Sequence, residues 1–377
     1  MSPAAPELPE DPAELMHSIL KRIATGPELS KDISREEARA GMRAVLDGRV
    51  GEVQAAVFLI ALRMKRETDD ENRGMLEAIR EATDRATAPV EELLDIADPY
   101  DGFIRTLPAS PFLPALLAAC GVPSVSHGVE TMGPKFGVTH KQVLRACGVP
   151  VDLSTGEAAA RVAVPAIGWA YVDQKEFCPK LYGLARLRTL IVKRPAITTT
   201  ETLAGPVRGR ARTHLVTGFV HKPYARVYAM LARHAGFDSA LIVRGVEGGV
   251  IPSLCQTGKV FRYRDGGEEL AEELKPEDLG LHHTVRAARI PGGAAGEGTD
   301  GDHGETSLDL ASVAKAAAES GMEALAGRPG PTHDALAYGA ALCLWHLGRC
   351  ASPGAGVDAV RRVLASGKAL EHLAAAR

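Results

Sequence analysis

Three turns of the chain combine glycine with side chains that can ionise or donate hydrogen bonds. They are Asp101-Gly102, Ser126-His127-Gly128 and Arg244-Gly245-Val246-Glu247-Gly248. Each follows a short apolar run that is typical of a buried strand, and in an open α/β sheet such turns line the ligand crevice. Glycine is also ordinary at any strand-to-helix turn, and a single histidine such as His127 fits a structural role as well as a catalytic one. The pattern predicts where a ligand would bind and leaves the chemistry open.

Positive charge is concentrated between residues 180 and 244. Twelve lysines and arginines stand there against two acids, a net charge of +10, although the whole chain carries only −3. These charges are either solvated side chains on several elements or a basic face whose partner would be a phosphorylated small molecule or a nucleic-acid backbone. If the segment is extended, alternation puts the side chains of Arg208, Arg210 and Arg212 on one side.

Composition excludes several classes of protein. The near balance of 44 basic and 47 acidic residues excludes a protein that binds polyanions over its whole surface. The six cysteines contain no Cys-x-x-Cys pair, which favours reduced thiols over a zinc site or a disulfide framework. The first residues lack the features of a signal peptide, and no run approaches the roughly 18 apolar residues of a membrane span. We therefore expect a cytoplasmic protein with no membrane partner.

The elements that must position these residues change in kind along the chain. Up to about residue 90 the apolar residues recur with helical spacing, which predicts helices with one apolar face each. From residue 93, short apolar strands alternate with helices, which is typical of a mostly parallel sheet covered by helices. Strands are predicted at residues 94–97, 123–126, 163–167, 213–220 and 240–243, and a glycine-rich loop at residues 291–305.

These patterns predict an α/β fold class, with a small all-helical domain plus a large α/β domain that has a central, mostly parallel sheet. The helical domain comprises residues 1–92, and residues 175–205, which have helical character, return to it. The α/β domain comprises residues 93–174 and 206–377. The glycine turns then follow the strands of the larger domain, so they are expected to line a ligand crevice at one edge of its sheet.

Several segments carry a resemblance to a known family. They include Ile33-Ser-Arg-Glu-Glu-Ala, Gln54-Ala-Ala-Val-Phe-Leu-Ile-Ala-Leu-Arg63, Gly205-Pro206 and Gly218-Phe-Val-His221. Over nearly its whole length the chain resembles anthranilate phosphoribosyltransferase, a member of the nucleoside phosphorylase/phosphoribosyltransferase superfamily. The resemblance implies that fold, phosphoribosyl pyrophosphate bound with magnesium between the domains, and a homodimer formed through the helices.

The motifs of the family's active site are altered in this chain. The glycine-rich diphosphate loop, Gly-Thr-Gly-Gly-Asp-Gly in the family, stands here as Asp98-Pro99-Tyr100-Asp101-Gly102, and the Asn-Ile-Ser-Thr motif keeps only Ser110. The family's magnesium-binding Asp-Glu pair falls on Val250 and Ile251, which leaves Glu247 as the only carboxylate nearby. Some divergent relatives with such a loop and a Gly-x-Glu-Gly turn bind nucleic acids.

The resemblance implies roles for individual residues. Asp101, Gly102 and Ser110 would meet the diphosphate or its metal, His127 and Gly128 the ligand at the crevice, Lys135 a phosphate, Arg186 the acceptor, and Ser110 with Glu247 a magnesium ion. No catalytic residue is assigned. We expect a phosphoribosyltransferase-like glycosyltransferase, a pentosyltransferase, whose acceptor is not anthranilate. The alternative is a non-catalytic nucleic-acid-binding protein on the same fold, which uses the basic segment 180–244.

Overall fold

Four helices come first in the computed structural model, which describes residues 8–26, 28–291 and 309–377. They are α1 (Pro12–Ile23), α2 (Arg35–Leu46), α3 (Glu52–Lys65) and α4 (Asp69–Glu81). Capping boxes begin α2 at Ser34 and α4 at Thr68, because each hydroxyl accepts a backbone N–H that would otherwise lack a partner. The apolar faces of the four helices pack on one another around Met42 and Phe58, both fully buried. The predicted helical domain is confirmed.

Helices α2 and α4 approach each other closely at Gly74. A Cβ atom at that position would lie 2.2 Å from the carbonyl oxygen of Arg35 and 2.8 Å from the backbone nitrogen of Arg39. Only glycine fits there without moving a backbone. The close approach fixes how α4 lies on α2, and α4 in turn contacts the larger domain through the helix at Pro223–His234.

A seven-stranded sheet forms the centre of the larger domain. Two short strands, β1 (Ala86–Thr87) and β5 (Val207–Arg208), lie outside it. The central strands are β2 (Glu92–Ala97), β3 (Ser124–Gly128), β4 (Trp169–Asp173), β6 (Arg212–Gly218), β7 (Ser239–Val243), β8 (Gly258–Arg264) and β9 (Leu270–Leu274). Their order is β4-β3-β2-β6-β7-β8-β9; the first five are parallel, and β8 and β9 are antiparallel at one edge. This confirms the predicted fold class.

Helices cover both faces of this sheet, and more helices follow β4. The structure contains α5 (Leu113–Ala119), α6 (His140–Ala146), α7 (Thr155–Val162), α8 (Gln174–Phe177), α9 (Pro179–Tyr182), α10 (Ala185–Ile191), α11 (Ile197–Thr200), α12 (Pro223–His234), α13 (Leu310–Leu325), α14 (Pro331–His346), α15 (Pro353–Ala365) and α16 (Lys368–Ala375). α14 is buried along most of its length and packs with α5 in the main core. None of the described helices is long and apolar enough to cross a membrane.

The segment from α9 to α11 packs against the first four helices. The backbone N–H of Ala196 donates to the carbonyl of Leu59 in α3, and α11 contacts α4. The chain then turns back to the larger domain through β5, which pairs in parallel with β1. β1 and β5 therefore form a short two-stranded ribbon, and each lies in a connection between the helical domain and the α/β domain.

One predicted strand is wrong. Residues 163–167 form a turn after α7, and the strand follows at Trp169–Asp173. The apolar run imitated a strand, yet Val164 is exposed and Pro165 follows it in the turn. The sequence also gave no signal for β8 and β9, because their faces are only partly buried. The predicted loop at 291–305 lies outside the described residues except for Pro291.

Replacement of Gly74 by alanine tests the close contact of α2 and α4. Alanine favours an exposed helix by about 1 kcal/mol over glycine, but the added Cβ meets backbone atoms and forces the helices apart. We expect the Gly74→Ala variant to lose about 1–3 kcal/mol of unfolding free energy, measured by urea denaturation. The matched control is Gly156→Ala in α7, where no atom lies within 4 Å, and it should be neutral or slightly stabilising. Equal effects of the two substitutions would contradict the packing argument.

Candidate functional site

A polar cleft lies where the carboxyl ends of β2 and β6 face the helical domain. The loops of the α/β domain supply Asp101, Lys135 and Glu247, and the helical side supplies Arg63 and Arg194. Parallel strands bring their carboxyl ends to one edge of the sheet, so residues distant in sequence meet there. The cleft therefore contains three of the residues predicted to bind a ligand, together with two arginines that the sequence analysis did not select.

Asp101 is buried on the floor of this cleft and is neutralised by the chain itself. Its Oδ2 atom accepts hydrogen bonds from Nε and a terminal nitrogen of Arg194 at 3.1 and 2.7 Å. Its Oδ1 lies 3.4 Å from Nζ of Lys135. Arg194 is about one-third exposed, so it keeps a face toward the cleft. Asp101, which was predicted to meet a metal ion or the diphosphate, thus contacts two cationic side chains, Arg194 and Lys135.

Lys135 also ties two loops together. Its Nζ donates to the carbonyl oxygens of Gly102 at 2.9 Å and Glu247 at 3.0 Å. Gly102 has a positive φ, and a Cβ on it would lie 2.6 Å from the backbone of Gly137. Gly102 therefore allows the close contact between its loop and the backbone of Gly137. The ammonium group of Lys135 is held between the carbonyls of Gly102 and Glu247.

The carboxylate of Glu247 sits in a nest of donors formed by residues 104–106. Oε2 accepts the backbone N–H of Ile104 at 3.0 Å, and Oε1 accepts those of Arg105 and Thr106 at 3.1 and 3.0 Å. The hydroxyl of Thr106 donates to the same Oε1 at 2.9 Å. A carboxylate that accepts four hydrogen bonds has little capacity left for a metal ion. In this structure Glu247 holds the loop after Gly102.

His127 and Gly128 are not at the cleft surface. Both are buried in β3, and Tyr100 lies over the imidazole edge-to-face with its hydroxyl hydrogen-bonded to Nδ1. Nε2 of His127 lies 2.9 Å from Oδ1 of Asp95, a fully buried carboxylate. Burial raises the pKa of Tyr100 well above its ordinary value, so its hydroxyl keeps its proton. The structure gives His127 a partner in the core rather than a ligand.

Ser110 is likewise engaged inside the protein. Its hydroxyl donates to Oδ2 of Asp98 and lies 3.0 Å from Nε2 of His140. Oδ1 of Asp98 accepts the backbone N–H of Val250 at 2.8 Å. This closed network joins the loop after β2 to α6 and to the turn after β7. Ser110 faces a small apolar cavity next to Ile251, separate from the polar cleft.

The residues present do not fit a magnesium pair. Val250 and Ile251, to which the sequence resemblance assigns the positions of the family's carboxylates, are buried in the hydrophobic core. The carboxylates of Asp101 and Glu247 are already neutralised by arginine and lysine or by backbone donors. Among the described residues no group of three or more histidine, cysteine, aspartate or glutamate side chains is arranged to hold a metal ion. These side chains therefore offer no pair of free carboxylates to a magnesium ion.

Arg186, which was predicted to bind the acceptor, lies outside the cleft. It is 74% exposed, pairs with Glu52 at the start of α3, and does not line the cleft. Arg194, eight residues later, lines the cleft instead. Both arginines belong to the basic segment 180–244, and the sequence around them carries no sign that Arg194 faces the cleft and Arg186 faces solvent.

The three arginines of the predicted basic row serve different contacts. Arg208 donates to the carbonyls of Ala235 and Gly236 and stacks on Phe237, 4.0 Å from the ring centroid. Arg212 pairs with Asp265 at 3.1 Å, and Arg210 is exposed in a bend between β5 and β6. The bend breaks the extended run that the alternation required, so the three side chains do not form one row.

Comparison with known proteins agrees with this architecture. The family model described as "Glycosyl transferase family, helical bundle domain" matches residues 17–83, and the one described as "Glycosyl transferase family, a/b domain" matches residues 104–370. The chain belongs to this glycosyl transferase family. Within the family, it resembles anthranilate phosphoribosyltransferase.

Individual relatives show how far the similarity extends. An uncharacterised protein of Aquifex aeolicus is 30% identical over 71% of this chain and 79% of its own length. Anthranilate phosphoribosyltransferase of Acidithiobacillus ferrooxidans is 28% identical over 94% of this chain and 96% of its own. The structure of the enzyme from Saccharomyces cerevisiae in complex with PRPP and Mg is 16% identical and has a TM-score of 0.75, covering 95% of this chain and 96% of that one. This last likeness shows a shared fold.

Removal of His127 tests whether it is a core partner of Asp95. A buried carboxylate that loses its partner typically costs about 3–5 kcal/mol, so we expect His127→Leu to lower the unfolding free energy by that amount. Adding Asp95→Asn to His127→Leu removes the unpaired charge and should restore part of the loss. Urea denaturation of the single and double variants measures both effects. A stable His127→Leu variant, or no recovery in the double variant, would contradict the assignment.

Proposed function

We propose that the protein is a phosphoribosyltransferase-like glycosyltransferase that binds a phosphoribosyl-type ligand in the cleft. The observation that carries the proposal is the pair of cations, Lys135 and Arg194, held around Asp101 at the carboxyl ends of the parallel strands. Membership of the glycosyl transferase family supports the reaction class. The neighbouring enzyme in complex with PRPP and Mg supports the ligand class.

The chain's own cations would act on the leaving group. In a glycosyl transfer from a phosphoribosyl diphosphate, the bond between the anomeric carbon and the diphosphate oxygen breaks. The electron pair leaves with the diphosphate, and the acceptor forms the new bond to the same carbon. Preorganised cations such as Lys135 and Arg194 stabilise the charge that develops on the diphosphate. Thr198 also lines the cleft and offers a hydroxyl to a sugar.

The acceptor would meet an aromatic wall. Phe219, Tyr224 and Tyr228 line one side of the cleft, and the guanidinium of Arg63 lies 4.9 Å from the ring centroid of Tyr224. Such a wall fits a planar ring better than an extended polar chain. Since the family's diphosphate loop and magnesium carboxylates are replaced, we propose an acceptor other than anthranilate.

The alternative function, nucleic-acid binding through residues 180–244, finds less support. Six of the twelve basic side chains of that segment form ion pairs within the protein: Lys180 with Asp47, Arg186 with Glu52, Arg188 with Glu201, Arg194 with Asp101, Arg212 with Asp265 and Arg226 with Asp69. Paired charges release fewer counterions from a nucleic acid, so they add less affinity.

Ligand binding and turnover test the proposal together. Phosphoribosyl pyrophosphate should raise the thermal midpoint of the protein, and Arg194→Ala should weaken its affinity about tenfold through loss of one charge-assisted contact. Arg186→Ala, which removes an exposed arginine outside the cleft, is the matched control and should bind normally. Anthranilate should not be converted at the roughly 1 s⁻¹ of an ordinary enzyme.

Two results would overturn this assignment. Steady conversion of anthranilate would restore the family's activity. No response to phosphoribosyl pyrophosphate, combined with oligonucleotide binding that falls steeply with salt and is weakened by alanine at Arg208, Arg210 and Arg212, would favour the alternative.

We also propose that the protein is a homodimer formed through its helical domain and works in the cytoplasm. Val53 and Met64 on α3 are 77% and 74% exposed, and Leu190 at the end of α10 is 61% exposed. Large apolar side chains on the outer faces of adjacent helices are typical of an interface between copies. The described cysteines are all free, in keeping with a reducing compartment.

Charge reversal on this surface tests the dimer. We expect wild-type protein to sediment as a dimer at micromolar concentration, and Val53→Glu combined with Leu190→Glu to sediment as a folded monomer, because buried unpaired carboxylates oppose association. The control is Val164→Glu, an exposed apolar residue of the other domain. A wild-type monomer, or a dimer that survives the double substitution, would refute the proposed interface.

A further inference from the structure

The nest that holds Glu247 has the form of an anion-binding site. Three successive backbone N–H groups, of residues 104, 105 and 106, and the hydroxyl of Thr106 converge on two carboxylate oxygens within 2.9–3.1 Å. Successive N–H groups of this kind bind the oxygens of phosphates as readily as those of carboxylates. The donors belong to the loop after Gly102, which is the loop that faces the cleft through Ile104 and Arg105.

The surroundings of the nest also favour an anion. Lys135 is fixed between the carbonyls of Gly102 and Glu247, and the side chain of Arg105 lines the same part of the cleft. Arg194 lies across Asp101 on the opposite side. A group with more negative charge than a single carboxylate would gain more from these cations.

The side chain that fills the nest comes from a backbone in an uncommon conformation. Glu247 has φ 54° and ψ 21°, in the left-handed region that glutamate rarely adopts, within the turn Gly245–Gly249. The glycines on either side let the turn take this form, and the carboxylate reaches back across the cleft floor to the loop at 104–106. The contact joins the turn after β7 to the loop after β2, and a movement of either one would open it.

We propose that the nest of residues 104–106 is a phosphate subsite of the cleft, which the chain closes with its own Glu247 carboxylate. The subsite takes a terminal phosphate or a diphosphate group, and the ligand binds when the Glu247 side chain leaves the nest. This inference deepens the proposed function and rests on it for the identity of the whole ligand. The tethered carboxylate competes at an effective concentration in the millimolar range or above, so inorganic diphosphate binds the wild-type protein weakly.

Removal of the carboxylate should open the subsite. In Glu247→Ala the Cβ remains, so the backbone conformation carries the same steric cost, while four donors lose their acceptor. We expect inorganic diphosphate to bind this variant about tenfold or more tightly than wild type, measured by isothermal titration calorimetry. Acetate, which can refill the nest, should raise the thermal midpoint of Glu247→Ala and leave that of the wild type unchanged.

Two further variants keep the test decisive. Glu247→Gln preserves the shape of the side chain but places an uncharged amide against the donors. It should therefore also increase the affinity for diphosphate, by a smaller factor than Glu247→Ala. This variant keeps the test valid if Glu247→Ala folds poorly. Glu319→Ala removes an exposed glutamate of α13 with the same change in charge, and it should bind diphosphate as the wild type does. Unchanged diphosphate affinity in both Glu247 variants would overturn the inference.

The inference and the proposed function can fail separately. Suppose that Glu247→Ala gains affinity for diphosphate but the wild-type protein does not respond to phosphoribosyl pyrophosphate. That result would support the phosphate subsite and reject a phosphoribosyl-type ligand. A wild-type response to phosphoribosyl pyrophosphate, with no gain in the Glu247 variants, would keep the ligand and place its diphosphate elsewhere in the cleft.

Discussion

The burial of three carboxylates in and after β2 is the constraint on which the candidate site depends. Asp95, Asp98 and Asp101 follow one another at intervals of three residues at the end of β2, and all are buried. A buried charge without a partner costs several kcal/mol, so each must find one within the chain. Asp95 takes His127 and Asp101 takes Arg194 with Lys135, while Asp98 forms the network with Ser110 and His140.

This requirement explains why the residues named from the sequence play other parts. His127 and Ser110 have types that suit a ligand site, and their positions after strands are also suitable. The structure turns both toward acidic groups in the interior, and Tyr100 closes the floor of the cleft over the histidine. A glycine-rich loop would leave this floor open, since it carries no side chain there. A single aromatic residue therefore changes which groups a ligand can touch.

Much of the fold could be predicted because it depends on local patterns. The runs at β2, β3, β6 and β7 are apolar and short, and the capped starts of α2 and α4 are visible as Ser34 and Thr68 followed by acids. The antiparallel strands β8 and β9 are partly exposed and carry no such pattern.

In the candidate site, Asp101, Lys135 and Glu247 line one cleft because turns after parallel strands meet at one edge of the sheet. The direction of each side chain depends on tertiary contacts, as the contrast of Arg186 with Arg194 demonstrates, and no spacing in the sequence records it. A shared fold likewise does not transfer chemistry, because function depends on the side chains of the site, and Val250 and Ile251 are buried apolar residues.

The paired connections β1 and β5 have a mechanical consequence. The N–H of Ala86 donates to the carbonyl of Pro206, and that of Ala88 to the carbonyl of Arg208. Two strands that are hydrogen-bonded edge to edge resist twisting, whereas two separate segments would twist freely. The ribbon therefore couples the two connections that join α3, which carries Arg63, and the loop that carries Arg194 to the strands of the larger domain. We expect a ligand that contacts both walls of the cleft to act on these two connections together.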